Sequence, residues 1–290
     1  MNCKTLFIDW QPDVDALVLG SMHLRWYSLL WCIGLMLAYL IVQRLYKQQK
    51  IDDAKFEPLF FYCFFGVLIG ARLGHCIFYE PQYYLTSGKG FLEMFLPMHQ
   101  MQDGSWKFTG YEGLASHGGT IGLFLGLLLY WKKHNLKPWT VLDNIAIAVP
   151  FTACCIRLGN LMNSEIIGNT TDVAWAFIFH TREALVDGMA VPRHPAQLYE
   201  AIAYLVFGII GVCIYLSKRK GQPLVGTGFY FGFCLATIFI FRFFVEFLKK
   251  EQVSFEQGML LDMGQILSIP MMIVGCWCMI NALRTKTKLK

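Results

Sequence analysis

Three arginines stand inside stretches of this sequence that are otherwise apolar. Arg72, Arg157 and Arg242 are each flanked by apolar residues, and an arginine at the centre of a membrane helix costs about 2.5–3.5 kcal/mol on insertion scales. A guanidinium group forms paired hydrogen bonds with phosphate, and phospholipid head groups supply phosphate at a membrane. The arginines therefore indicate a site for a phosphate-bearing lipid. Snorkelling of each arginine to the head groups is the alternative for any single position.

Two further ionisable residues fit such a site. His117 is a candidate base because histidine titrates near neutral pH; the alternative is a helix-end histidine bonded to a neighbouring carbonyl group. Arg242 and Glu246 are four residues apart and share one face of a helix. Their spacing predicts a contact, which is compatible either with an active site or with a purely structural salt bridge.

The composition defines the kind of protein that must position these residues. Of 290 residues, 56% are hydrophobic and 16% are charged, against about 25% charged in an ordinary globular protein. This excludes a disordered chain, a small disulfide scaffold and a nucleic-acid-binding tail protein, so no nucleic-acid partner is expected. Most of the ten cysteines lie in or beside apolar runs, which is typical of buried, inert thiols. We predict an all-α polytopic membrane protein.

Seven segments approach the length of about 20 residues that a spanning helix needs. Two long connections, 80–112 after the second segment and 158–194 after the fourth, are predicted to be extracytoplasmic loops. The whole chain, 1–290, is predicted to be a single integral membrane domain. The second connection contains VAWAFIF (173–179), which alternates enough for a short strand or an interfacial segment. The predicted helices are 25–43, 59–79, 113–131, 139–157, 195–217, 226–247 and 263–283.

Charge in the connections predicts the orientation. Lysine and arginine are concentrated in the short connections after the first, third and fifth segments and in the C-terminal tail. Because cytoplasmic loops are enriched in these residues, the N-terminus is predicted outside and the C-terminus in the cytoplasm. The arginines and their polar companions then fall at the outer ends of the helices, whereas Asp143 lies near an inner end. Glycine ridges on the second and third segments predict close helix packing: Gly66, Gly70, Gly74, Gly118, Gly122 and Gly126.

Four stretches together resemble the prolipoprotein diacylglyceryl transferase family. Residues 157–168 read RLGNLMNSEIIG, which is similar to the family's signature of Arg, Asn, Asn, Glu and Gly. SHGGTIG (116–122), RHPAQLYEA (193–201) and FRFFVEF (241–247) resemble its other hallmark segments. Ile156 and Leu161 depart from the usual Gly and Phe of the signature. Both replacements are apolar, so they affect local packing and leave the polar positions intact.

The resemblance implies an activity and a set of critical residues. Enzymes of this family transfer the diacylglyceryl group of phosphatidylglycerol to the lipobox cysteine of a prelipoprotein, forming a thioether and releasing glycerol phosphate. The expected partners are therefore phosphatidylglycerol, prelipoprotein signal peptides and membrane lipids, and the expected location is the bacterial cytoplasmic (inner) membrane, with the active site facing the outer leaflet. The family's critical residues correspond to Tyr27, His117, Arg157, Asn160, Glu165, Gly168, Arg242 and Glu246.

Roles follow for these residues as hypotheses. His117 would activate the substrate thiol, and Arg157 and Arg242 would hold the phosphate, with Glu165 and Glu246 orienting the arginines. The predicted catalytic residues are His117, Arg157, Arg242, Glu246 and Tyr27. The predicted substrate-binding residues are Arg157, Asn160, Asn163, Glu165, Gly168, Arg72 and Arg242. Three residues are interpreted as supporting ones: Gln197, Tyr199 and Glu200.

Two other functions compete with this interpretation. A phospholipid or phosphate-solute transporter could use the same buried arginines, but alternating access favours sites near the bilayer midplane, and Asp143 is almost the only polar group predicted near the inner side. An intramembrane metalloprotease is disfavoured because no HExxH motif occurs. We expect neither a metal nor an organic cofactor.

Overall fold

The computed structural model of the chain describes residues 7–20, 22–96, 98–101, 104–108, 113, 115–218, 223–250 and 260–288. A long helix lies at each of the seven segments predicted from the sequence. Numbered in chain order, the helices are α1 (Trp26–Gln48), α2 (Asp53–Phe78), α3 (Pro81–Tyr84), α4 (Gly88–Phe95), α5 (Ser116–His134), α6 (Pro138–Met162), α7 (Ala196–Lys218), α8 (Phe229–Glu246) and α9 (Met263–Lys288).

Within the described residues, six helices are long and apolar enough to cross a membrane: α1, α2, α6, α7, α8 and α9. The chain is therefore a multi-pass helical membrane protein. The predicted third span corresponds to α5, which is not among the six. Its 19 residues begin with Ser116 and His117 and end with Lys132, Lys133 and His134, which leaves a short apolar centre. That α5 crosses the membrane stays a prediction, as does the orientation.

Helix α2 starts six residues before the predicted segment 59–79. Asp52 precedes the helix, and its carboxylate accepts a hydrogen bond of 3.0 Å from the backbone N–H of Ala54. Such a cap satisfies one of the free N–H groups of a first helical turn. The charged residues Asp53, Lys55 and Glu57 belong to no apolar run, so hydropathy could not include this turn in the predicted segment.

The chain forms two compact units, one of residues 46–137 and one of residues Met1–Leu45 with Pro138–Lys290. In the first unit, α2 and α5 pack backbone against backbone. A Cβ atom placed on Gly122 would lie 2.0 Å from the carbonyl oxygen of Gly66, and one on Gly70 would lie 2.3 Å from the carbonyl oxygen of Gly118. The close packing predicted from the glycine ridges is thus confirmed.

Replacing Gly122 with alanine should destabilise the unit of residues 46–137. The added methyl group meets a backbone carbonyl that cannot rotate away, so the two helices must separate, at a cost of about 2–3 kcal/mol in the free energy of unfolding. Gly119→Ala is the matched control, because a Cβ there would be 3.4 Å from its nearest neighbour, Ala71. Thermal unfolding in detergent measures both variants. Equal stability of the two would contradict the backbone packing.

The two long connections contain short elements that the sequence did not predict in detail. The strands are β1 (Ile8–Trp10), β2 (Asp15–Leu19), β3 (Met22–Arg25), β4 (Met98–Gln100), β5 (Trp106–Phe108), β6 (Phe177–Phe179), β7 (Leu185–Val186), β8 (Met189–Ala190) and β9 (Pro192–Arg193). Residues 80–112 include α3, α4 and the antiparallel pair of β4 and β5. In the other unit, β6 lies within the segment 173–179 and pairs with β1 in parallel and with β9 antiparallel.

The beginning of α8 is held by a carboxylate of α6. One oxygen of Asp143 accepts hydrogen bonds from the backbone N–H groups of Gly226 (2.8 Å), Thr227 (3.2 Å) and Gly228 (2.9 Å), and the other accepts from Phe231 (2.9 Å). Gly226 and Gly228 have φ values of +86° and +84°, which glycine adopts without steric cost. Asp143 is fully buried and acts as a helix cap, so the one polar group predicted near the inner side has a structural role.

Candidate active site

Buried polar side chains meet where α6 ends, beside the first turns of α7. The Arg157 guanidinium lies 3.1 Å, through its Nε, from Glu200 Oε2, and it donates a hydrogen bond of 3.2 Å to Asn160 Oδ1. The Glu200 carboxylate is fully buried and Arg157 is 13% exposed. Because a buried carboxylate is costly without a partner, this ion pair fixes the position of Arg157 in the bundle.

Glu165, in the turn after α6, binds the two asparagines of the signature stretch. Asn160 Nδ2 donates to Glu165 Oε1 at 2.8 Å, and Asn163 Nδ2 donates to the same oxygen at 3.3 Å. Gln197 Nε2 donates to the Glu165 backbone carbonyl at 2.5 Å. A carboxylate can only accept, so it orients both amide groups. Asn163 Oδ1 is buried and has no hydrogen-bond partner among the described residues.

Tyr27, in the first turn of α1, joins the same group of residues. A Cβ atom on Gly159 would lie 2.9 Å from the Tyr27 ring, so the glycine of α6 makes room for the aromatic side chain. Glu165 and Arg157 are close enough to Tyr27 to interact with it electrostatically. The structure thus brings Tyr27 together with the residues around Arg157 and Glu165, and the catalytic role predicted for Tyr27 stays a prediction.

A buried lysine connects the carboxylates of α7 and α8. Lys249 Nζ lies 3.0 Å from Glu246 Oε2 and 3.3 Å from Glu200 Oε1, and its side chain is 3% exposed. The hydroxyl group of Tyr204 also donates to Glu200 Oε1, at 3.0 Å. Glu200 therefore joins Arg157 and Lys249 in one network of alternating charge. Sequence reasoning did not identify Lys249, which lies beyond the predicted helix 226–247.

Arg242 differs from Arg157 and Lys249, the two cations of this network. It lies near the end of α8, is half-buried, and interacts electrostatically with Tyr204. Within the part of the chain that the structure describes, it has no hydrogen bond and no ion pair. The predicted contact with Glu246 is absent, because Glu246 binds Lys249 instead. A partly buried guanidinium without a carboxylate is favourable only if water or an anion binds it.

Gly168 lies between two other backbone segments. Its N–H donates to the carbonyl of His194 at 3.0 Å, and it forms an antiparallel bridge with Lys249. A Cβ atom there would lie 2.5 Å from the His194 carbonyl oxygen and 2.8 Å from that of Leu248. Only glycine fits, so this residue holds the chain after α8 against the signature turn. The substrate contact predicted for Gly168 stays a prediction.

The strand before α7 is fixed by buried basic residues. Arg193 donates to the carbonyl oxygens of Ala184 (2.9 Å) and Gly168 (3.1 Å), and burial lowers the pKa of its guanidinium group. His194 Nδ1 lies 3.1 Å from the hydroxyl group of Tyr199. Burial also lowers the pKa of His194, so its imidazole is neutral near pH 7. These contacts support the interpretation of the segment 193–201 as architectural.

In the unit of residues 46–137, Arg72 makes contacts of a structural kind. Its Nη2 donates to the backbone carbonyl of Glu93 at 2.7 Å, and its Nε donates to that of Met94 at 3.2 Å. The guanidinium also lies 4.9 Å from the centre of the Tyr84 ring, a favourable cation–π distance. Arg72 is buried. This geometry favours a role in holding α4 in place, and the predicted phosphate contact stays a prediction.

His117 is the second residue of α5 and is exposed. Its neighbour Gly118 packs against Gly70 and Gly74 of α2, where a Cβ atom would approach to 2.2 Å. Inside the described ranges, the His117 side chain has no hydrogen bond or ion pair. No carbonyl group of the described residues binds this histidine, and the residue is exposed.

The pairing of the carboxylates differs from the expectation. Glu165 and Glu246 were predicted to orient the arginines, but Glu200 pairs with Arg157, while Glu165 reaches Arg157 only through Asn160. Spacing along the chain did not predict this partner of Arg157, because the pair of α6 and α7 depends on how the two helices pack. That Glu165 orients Arg157, here through Asn160, stays a prediction. A charged residue beside the apolar run of α7 was the sequence signal that could have identified Glu200 as the partner of Arg157.

The fold and this network define a multi-pass helical membrane protein with a buried ionic site at the ends of its helices. A sequence model of the family described as prolipoprotein diacylglyceryl transferase matches residues 15–281. Relatives named phosphatidylglycerol–prolipoprotein diacylglyceryl transferase match over 96% of this chain: one from Bacteroides fragilis is 55% identical (96% of its own length), one from Porphyromonas gingivalis 37% (95%) and one from Tolumonas auensis 36% (99%). The chain belongs to the prolipoprotein diacylglyceryl transferase family.

Proposed function

We propose that this protein transfers the diacylglyceryl group of phosphatidylglycerol to the lipobox cysteine of prelipoproteins. This is the first step of bacterial lipoprotein maturation. Family membership and the names of the relatives support the assignment. The observation in the structure that carries it is Arg242, a half-buried guanidinium with no carboxylate partner among the described residues, beside a network in which the other cations are paired. A phosphate of a lipid head group would supply the missing anion.

The reaction exchanges one bond at a glycerol carbon. The sulfur of the substrate cysteine attacks the carbon that carries the phosphate, a C–S bond forms, the C–O bond breaks, and glycerol phosphate leaves with the electron pair. The thiol proton has to be removed, because the thiolate is the nucleophile. His117 is our candidate for this base. Arg242 and Arg157 stabilise the negative charge on the departing phosphate, an effect often worth several kcal/mol.

The remaining site residues orient the substrate and the arginines. Glu165 fixes the amide of Asn163 through its Nδ2, which leaves the buried Oδ1 free to accept a hydrogen bond from a glycerol hydroxyl group. Asn160 links Glu165 to Arg157. Tyr27 packs against Gly159 beside this network, Gly168 holds the chain after α8 against the signature turn, and Glu246 acts through Lys249.

We place this site at the outer leaflet of the bacterial cytoplasmic (inner) membrane, with seven spans, the N-terminus outside and the C-terminus in the cytoplasm. The distribution of lysine and arginine in the connections supports this orientation, and the lipobox cysteine of a translocated prelipoprotein is reached from that side. A reporter enzyme that is active only in the cytoplasm, fused after residue 290, should be active. An inactive C-terminal fusion with an active fusion at the N-terminus would reverse the topology.

A mass measurement tests the assignment directly. The purified protein is mixed with phosphatidylglycerol of defined chain length and a synthetic lipobox peptide, and the peptide should gain the mass of one diacylglyceryl group. A peptide with its cysteine replaced by serine is the matched control and should remain unmodified. If phosphatidylglycerol crosses between the leaflets of reconstituted vesicles and no covalent product forms, the protein is a transporter and the proposal is wrong.

A further inference from the structure

We propose that Lys249 is a positioning residue that keeps Arg242 available for the phosphate. Lys249 binds the Glu246 carboxylate, and this prevents Glu246 from pairing with Arg242 one helical turn earlier. The inference rests on the proposed function, because it concerns the phosphate site of that reaction. It assigns to Lys249 no contact with the substrate.

The spacing of α8 makes competition for Glu246 unavoidable. Arg242 and Glu246 are four residues apart on one face of the helix, where a guanidinium and a carboxylate normally attract each other. The structure shows the carboxylate instead 3.0 Å from Lys249 Nζ, three residues further along and beyond the last residue of α8. Lys249 thus occupies the Glu246 carboxylate with which Arg242 would otherwise pair.

The position of Glu246 is fixed from two sides. Lys249 binds Oε2, and Gly264 of α9 provides the space for the carboxylate, because a Cβ atom on Gly264 would lie 2.5 Å from Glu246 Oε1. Glu246 is also almost completely buried. A buried carboxylate that lost Lys249 would need another cation, and Arg242 is the one within reach on the same helix.

Lys249 itself is held in place by its backbone and by a second carboxylate. The residue forms an antiparallel bridge with Gly168, and the next N–H, of Lys250, donates to the carbonyl of Ile167 at 3.1 Å. Its ammonium group also lies 3.3 Å from Glu200 Oε1. Since Glu200 pairs with Arg157, Lys249 connects the two arginine-bearing helices. The requirement for glycine at position 168 follows from the same arrangement, because any side chain there would displace this segment.

Chemical modification of Arg242 tests the inference without any turnover. Phenylglyoxal reacts with accessible guanidinium groups, and mass spectrometry of the peptide that contains Arg242 measures the rate in the purified full chain. In the Lys249→Met variant the freed carboxylate should bind Arg242 and slow its modification several-fold. A merely structural role would loosen the site and give an unchanged or faster reaction, and either of these results would overturn the proposal.

Three further variants sharpen the comparison. Lys249→Arg keeps a cation for Glu246 and should restore the rate of modification. In Lys249→Met/Glu246→Gln the Glu246 carboxylate is gone, so the rate of Arg242 modification should return to that of the parent protein. A double variant as slow as Lys249→Met would contradict the mechanism. Lys250→Met is the matched control, because the ammonium group of Lys250 donates to the carbonyl of Glu183 and not to a carboxylate. If Lys249→Met cannot be purified folded, Lys249→Gln makes the same comparison.

Steady-state kinetics gives an independent result. Lys249→Met should lower kcat/KM for phosphatidylglycerol about tenfold or more, because the charge-assisted hydrogen bond from Arg242 to the phosphate is weakened, and Lys249→Arg should restore most of this loss. An unchanged kcat/KM in Lys249→Met would overturn the inference. A protein that produced no lipidated peptide even without substitutions would refute the proposed function, whereas the modification of Arg242 would still report on Lys249. The two failures are therefore distinguishable.

Discussion

Arg242→Ala is expected to lower kcat/KM for diacylglyceryl transfer by at least about 100-fold, the effect seen when a single charge-stabilising donor is removed from an active site. The reason is that Arg242 is the cation of the site that has no carboxylate partner among the described residues, so its interaction with the lipid phosphate is the one that the substitution removes. Arg242→Lys should retain part of the activity, because lysine keeps the charge but cannot form the paired hydrogen bonds of a guanidinium. Rates of peptide lipidation by mass spectrometry provide the measurement.

Stability separates this effect from a general loss of folding. Removing Arg242 leaves no described residue without its partner, so the variant should unfold at nearly the temperature of the parent protein. Arg157→Ala, in contrast, leaves the buried carboxylate of Glu200 with one cation fewer and should lose stability as well as activity. Arg44→Ala, at the exposed far end of α1, is the matched control for both measurements. Near-normal transfer by Arg242→Ala would refute the assignment of the phosphate site.

The second large effect is expected for His117→Ala, which should lower kcat by about 100-fold to 10,000-fold, the range in which a general base contributes. His117 would take the proton from the substrate cysteine, and an alanine at this position cannot do so. A free cysteine has a pKa of about 8.5, so the thiolate forms without help as the pH approaches 9. The difference between the parent protein and the variant should therefore narrow from pH 7 to pH 9.

His134→Ala is the comparison for this variant. His134 is at the other end of α5, where its ring packs against Tyr130 with 4.9 Å between the ring centres, so its loss affects packing and not the proton transfer. Its kcat per folded molecule should be that of the parent at every pH. A deficit of His117→Ala that is constant across the pH range would exclude proton removal as the role of this residue.

The helices could be predicted from the sequence to a large extent, because each presents a long apolar run to the lipid. The limits of α2 were less certain, since its first turn is charged and is defined by the cap at Asp52. The short elements of the connection 80–112 were not predicted, because helices such as α3 have too few residues to show a period. The polar ends of α5 shorten its apolar run, which sets it apart from the other six long helices.

The members of the site were easier to predict than their partners. Arg157, Asn160, Glu165, Arg242 and Glu246 were identified from their types and from the family signature. The partners depend on packing between helices that are distant in sequence, so neither the pairing of Arg157 with Glu200 nor the role of Lys249 followed from spacing alone. On α8, the spacing favoured a salt bridge between Arg242 and Glu246, and Lys249, just beyond the end of the helix, prevents that salt bridge.

The cap that Asp143 provides has a consequence for motion. The start of helix α8 is tied through four backbone N–H groups to the Asp143 carboxylate of α6, and the chain just past its end is tied to the segment around Gly168. A shift of α8 along its axis by the rise of one residue, about 1.5 Å, would break hydrogen bonds at both ends of the helix. Helix α8 is thus held in place at both ends. Substitutions of Asp143 should consequently lower the rate of diacylglyceryl transfer, because they release the start of α8 and displace Arg242 near its other end.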